Sequence, residues 1–79
     1  MVSPQDIEQW IAAALPCEKL EVKGDGHHFE AVIVSGEFRG KNMVQQHQLV
    51  YKALGERMRE EIHALSMKTY PPEDWASRQ

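Results

Sequence analysis

Thiols are nearly absent from this chain, which carries one cysteine, Cys17, in 79 residues. A lone thiol cannot staple the fold internally, so a disulfide scaffold is excluded and a reducing compartment is expected. Long apolar runs are missing too. The stretch Ile11 to Leu15 is too short for a signal or membrane segment, and Met1-Val2-Ser3-Pro4-Gln5-Asp6 has no basic run, so the expected location is the cytoplasm. Basic charge is in deficit. Twelve acidic side chains against nine basic ones leave a net −3, opposite in sign to what many phosphate contacts would favour. Catalytic signatures are missing as well: there is no Walker loop, no Gly-x-Gly-x-x-Gly, no Gly-x-Ser-x-Gly and no His-Glu-x-x-His. No enzyme is expected.

What remains is ordinary globular composition, 42% hydrophobic and 27% charged, with a mean hydropathy of −0.54. Residues 1–79 are read as one small domain that must be held by packing alone. Ser3, Pro4 and Asp6 supply an N-cap, a residue of fixed φ and an acidic capping partner, and Ile7, Trp10, Ile11, Ala14 and Leu15 form one stripe before Pro16. A helix is predicted over 4–15. Leu20 to Lys23 alternates in polarity, Gly24-Asp25-Gly26 supplies a tight connection, and Phe29 to Val34 is rich in β-branched residues, so a hairpin is predicted with its second strand central. From Met43 to Met58 the positions Met43, Val44, His47, Val50, Tyr51, Leu54 and Met58 keep helical spacing, with Gln45, Gln46, Gln48, Lys52, Glu56 and Arg59 on the wet side. This predicts a long helix with a short entry turn. A third strand is predicted over Ile62 to Lys68, a helical turn over Pro71 to Trp75, and low order over Ala76 to Gln79. The fold class is α+β, in the order α-β-β-α-(α)-β-α.

Histidine is the unusual feature. There are four, with His27-His28 at the mouth of the hairpin and His63 at the start of the third strand. Imidazole binds zinc, copper and iron. His47 falls at core spacing beside Val50 and Tyr51 and reads as a hydrogen-bonded structural group. His27 and His28 are otherwise polar turn residues. The spacings match no zinc finger, ribbon or knuckle. An iron-sulfur cluster needs four ligands, and one cysteine plus a few imidazoles implies that a partner would supply the rest.

Phe38-Arg39-Gly40-Lys41, Gln46-His47-Gln48-Leu49-Val50-Tyr51, Ile62-His63-Ala64-Leu65-Ser66-Met67-Lys68-Thr69 and Pro72-Glu73-Asp74-Trp75 together resemble the BolA family. Gly24-Asp25-Gly26-His27-His28-Phe29 is similar to its short bacterial IbaG branch. The resemblance runs in order from about Ile7 to Trp75. It implies a three-stranded sheet with helices on one face, similar to a type II KH domain. It also implies an adaptor that shares a 2Fe-2S cluster with a monothiol glutaredoxin, the partner giving its Cys and a bound glutathione. His63 would be the C-terminal ligand and the His27-His28 pair the loop ligand, with His28 aligning with the family's His before Phe. Iron-sulfur trafficking or iron and redox stress regulation would be the role, with a monomer or weak homodimer when alone. Cys17 receives no role. The alternative is a nucleic-acid-binding transcriptional regulator, for which Arg39, Lys41 and Lys68 offer a small basic patch, although Gly36 and Gly40 are one residue too far apart for a Gly-x-x-Gly clamp. A third reading is an interaction module that binds the same partner without metal.

Overall fold

The computed structural model describes residues 2–78, so the expected disorder at Gln79 lies outside the described residues. Helix α1 (Pro4–Ala14) starts with the predicted capping box, in which Ser3 Oγ accepts from the Asp6 N–H at 3.1 Å and Asp6 Oδ2 accepts from the Ser3 N–H at 3.0 Å. It buries Ile7 and Ile11 completely. Strands β1 (Lys19–Gly24) and β2 (His28–Val34) form the hairpin, paired antiparallel from Lys19 opposite Val34 to Gly24 opposite Phe29. A single 3₁₀ turn at Gly36–Phe38 leads to α2 (Met43–Leu54), and α3 (Glu56–Glu60) precedes β3 (Ala64–Tyr70) and α4 (Pro72–Ser77). The sheet order is β1-β2-β3 with β3 parallel to β2, which makes β2 central as its composition required.

Alternation sorts the sheet residues. Val22, Phe29, Ala31, Ile33 and Thr69 are buried on the face covered by α1 and α2, whereas Glu21, Lys23, Glu30 and Lys68 stand on the other. One core, built from Ile7, Ile11, Leu15, Val22, Phe29, Ala31, Ile33, Phe38, Val50, Leu54 and Ile62, joins helices and sheet.

Four sequence expectations are corrected. The long helix is broken at Gly55, whose φ of 57° lies in the left-handed region that favours glycine. The buried face of α2 is Gln46, Val50 and Leu54, while Met43, Val44 and Tyr51 are 57%, 64% and 43% exposed. Gln46 is buried because its polar atoms are satisfied. Its amide donates to the Lys41 carbonyl at 2.8 Å and its carbonyl oxygen accepts from Thr69 Oγ1 at 2.7 Å, so only the stem faces the core. The third strand lies two residues later than predicted, because pairing with the whole of β2 carries it to Tyr70, and Ile62 plugs the core ahead of it, 4% exposed. The C-terminal helix continues through Ala76 to Ser77, and Arg78 lies over the rings of Tyr70 and Trp75 at 5.0 and 5.1 Å. Trp75 does pin this helix, its ring 5.3 Å from that of Tyr70.

Candidate functional site

The β1–β2 connection is organised by Asp25, whose Oδ1 accepts from the N–H groups of His27 and His28, both at 2.9 Å. This is an Asx turn, and Gly26 completes it with φ 101°. The two amide donors, His28 first and His27 second, hold the Asp25 carboxyl below its ordinary range. Gly24 is constrained by space, since a Cβ there would overlap the Phe29 ring and the His28 carbonyl.

His63 stands in the bend before β3 rather than within the strand. It is held from both sides. The Ile62 N–H donates to the Arg57 carbonyl at 2.9 Å with its side chain in the core, and the Ala64 N–H donates to the His27 carbonyl at 3.1 Å. That last bond ties the hairpin turn to the start of β3, and the rings of His27 and His63 meet edge to face with centroids 5.9 Å apart. Both are exposed. His28 is directly opposite Ala64 in the parallel register, so it shares the open face with Glu30 and points away from the side of Phe29. Backbone alternation thus separates the two neighbours, and the ring that reaches His63 is that of His27.

Two imidazoles this close can converge on one ion at metal–nitrogen distances of about 2 Å. Among the described residues no group of three or more His, Cys, Asp or Glu side chains is gathered, so the pair by itself does not complete a metal site. Cys17 is excluded from it by topology. It precedes β1 at the end where Lys19 pairs with Val34, the opposite end of the hairpin from His27. Its thiol donates to the Leu15 carbonyl at 3.2 Å, and burial raises its pKa, which disfavours the thiolate a metal needs. His47 is half-buried on α2, but the hydrogen bond expected for it is not made, since its Nε2 has no partner in the described structure.

The basic residues are dispersed in function. Arg39 is engaged by Glu73, with Nε to Oε1 and Nη2 to Oε1 both at 2.6 Å, which raises the guanidinium pKa and lowers that of the carboxyl. Lys41 is exposed beyond the 3₁₀ turn. Lys68 lies on the open sheet face, lining a shallow depression of about 240 Å³ with Glu21, Lys23, Glu30, Val32 and Ser66, where the charges balance. Within Gly36 to Gly40, Phe38 is completely buried, so this turn belongs to the core and presents no backbone clamp. The role of Asp25 was not read from the sequence, although Asp two and three residues before a His pair is an Asx-turn signal.

Among the described residues no helix is long and apolar enough to cross a membrane. A family model described as BolA-like protein matches residues 11–74. The chain is 38% identical over 72 residues to the acid stress protein IbaG of Escherichia coli K12, covering 90% of this chain and 86% of that protein. It is 39% identical over 56 residues to the DNA-binding transcriptional regulator BolA of Haemophilus influenzae, covering 71% of this chain and 54% of that protein, about half its length. A solved BolA homologue from Coxiella burnetii superimposes with a TM-score of 0.88 at 47% identity, over 96% of this chain and 99% of the other. The relatives' names denote regulation and stress response rather than catalysis. With the helix order, the mixed three-stranded sheet and the family match in agreement, the chain belongs to the BolA family.

Proposed function

We propose that this chain is an adaptor that shares a 2Fe-2S cluster with a monothiol glutaredoxin, donating His63 and one imidazole of the His27-His28 pair, in iron-sulfur trafficking or iron and redox stress regulation. The observation that supports this reading is the exposed, edge-to-face His27 and His63 pair, with no third donor gathered beside it among the described residues. Such a half-site suits a cargo whose remaining ligands come from elsewhere. Imidazole in place of thiolate raises a cluster's potential and leaves less negative charge, which favours transfer over permanent retention.

The test is anaerobic mixing with cluster-loaded glutaredoxin homodimer, followed by visible absorption, circular dichroism and size exclusion. A changed spectrum and a one-to-one heterodimer are expected. An unchanged spectrum with separate elution sinks the reading, and a colourless complex favours a metal-free interaction module. His63→Ala should lose cluster bridging and Cys17→Ser should change nothing. Ring proximity favours His27 as the loop donor, while the resemblance aligns His28, and the spectra of His27→Ala and His28→Ala decide between them.

The second reading, nucleic-acid regulation, is favoured by the name of the Haemophilus relative. Against it stand the net charge of −3, the Glu73 carboxylate on Arg39 and the buried Phe38. A titration with duplex and single-stranded oligonucleotides at about 150 mM salt should show only weak binding, and specific affinity tighter than about 10⁻⁷ M would reverse this ranking.

A further inference from the structure

The two edges of the sheet are treated differently. At β1 the Val22 N–H points out of the sheet, and Glu8 of α1 reaches over to accept from it at 3.0 Å, so this edge is blocked. At β3, the Ala64 N–H bonds the His27 carbonyl and the Tyr70 carbonyl accepts from the Ser35 N–H, so Ala64, Ser66, Lys68 and Tyr70 turn their main-chain groups toward β2. Strand alternation then turns the N–H and C=O groups of Leu65, Met67 and Thr69 outward. Among the described residues nothing bonds them. Leu65 and Met67 are only half-buried, which leaves apolar surface along this free edge.

The strand's own side chains identify what fits there. In an antiparallel pairing about a two-fold axis at Met67, Met67 faces its own copy, Leu65 faces Thr69 and Ser66 faces Lys68. Every outward N–H and C=O of Leu65, Met67 and Thr69 then meets a complementary group in narrow hydrogen-bonded pairs. On the open face, Glu30 is opposite Ser66, and Ser66 is opposite Lys68 of the second copy. Glu30 and that Lys68 are thus two strand spacings apart, about 10 Å between Cα atoms, with only a serine between them, within reach of a lysine and a glutamate extended toward each other. The symmetry makes the pair twice. Within one chain neither Glu30 nor Lys68 has an ion-pair partner among the described residues, since Lys23 pairs with Glu21 and the other bridges lie elsewhere. A lysine on an edge strand ordinarily discourages pairing. Here it avoids its own copy and meets an opposite charge.

We propose that the β3 edge is a homodimerisation surface, on which a second copy of this chain adds its β3 antiparallel about Met67, with Lys68 of each copy facing Glu30 of the other. The contact is a strand pairing with two exposed ion pairs, so it forms reversibly at high protein concentration and weakens with salt. It leaves the His27 and His63 end of each chain open, because the antiparallel arrangement sends the two His63 residues to opposite ends of the shared strands.

Sedimentation velocity from about 10 μM to about 1 mM at low salt should show a monomer–dimer equilibrium. Lys68→Glu alone and Glu30→Lys alone each place like charges at both contacts, and each should raise the dissociation constant about tenfold. Mixing the two variants should restore wild-type association, because the heterodimer regains opposite charges at both contacts. In amide hydrogen exchange, protection at Leu65, Met67 and Thr69 should rise with concentration. Near-UV circular dichroism of Trp10 and Trp75 checks that each variant is folded. A chain that stays monomeric throughout, or a dimer indifferent to both variants and to their mixing, overturns the proposal.

Discussion

The two ends of the sheet are built for opposite tasks. At the end where β2 leaves the sheet, Ser35 is completely buried, its Oγ donates to the Pro16 carbonyl at 2.6 Å and accepts from the Glu37 N–H at 3.1 Å, and its N–H donates to the Tyr70 carbonyl. Phe38, Trp75 against Tyr70, and Arg39 on Glu73 close that end with side chains. At the other end, His27, His28 and His63 are exposed and are positioned by main-chain bonds and by Asp25. The difference teaches that this fold exposes its histidine side chains at one end without relying on them for stability. Backbone hydrogen bonds do the positioning, and the imidazole nitrogens remain available.

The largest effect on stability should come from the closed end. Phe38→Ala removes a ring with no exposed surface and should cost about 3–5 kcal/mol, measured by urea denaturation. Since a domain of this size has about 5–10 kcal/mol in total, the variant should be close to unfolded at 37 °C. A loss below about 1 kcal/mol would show that this end is not the one that holds the sheet. Ser35→Ala should follow, costing about 1–3 kcal/mol, because it strands the Pro16 carbonyl and the Glu37 N–H that its hydroxyl joins.

At the open end the effects should be local. Asp25 has a lowered pKa through the amide donors of His28 and His27, so its ordering contribution is present above the ordinary carboxylate pKa and is lost as pH falls through the folded value. As pH falls below the ordinary carboxylate range and through that lowered value, the His27 and His28 amide shifts should therefore move toward those of Asp25→Ala, with little change elsewhere in the spectrum. Global unfolding with the same midpoint would mean that the turn is part of the stability core. His63→Ala should be smallest, within about 0.5 kcal/mol of the parent, since the ring is exposed and Ile62 and Ala64 keep their contacts. A large loss in that variant would make His63 a structural group rather than an exposed side chain free for other use.

Much of this was legible in the order of residues. Ser3-Pro4-x-Asp6 specified the start of α1 because capping is local to four residues, and the β-branched richness of Phe29 to Val34 marked the central strand because that strand pairs on both edges and packs Phe29, Ala31 and Ile33 into the core. That the chain has too few thiols and imidazoles to close a four-ligand cluster alone followed from counting one cysteine and four histidines. Which face of α2 is buried was not legible, because Met43, Val44 and Tyr51 offer an apolar stripe as good as the true one. Only Thr69 and the Lys41 carbonyl, supplied from elsewhere, make Gln46 a buried residue. The neighbour of His63 was likewise beyond the sequence. His27 and His28 are adjacent in the chain, and it is the parallel register of β2 on β3, setting His28 opposite Ala64, that turns one ring to the open face and brings the other to His63. Composition and local capping are properties of short segments and can be read there, whereas the choice between two adjacent side chains depends on which strand lies alongside, and only the packed chain decides that.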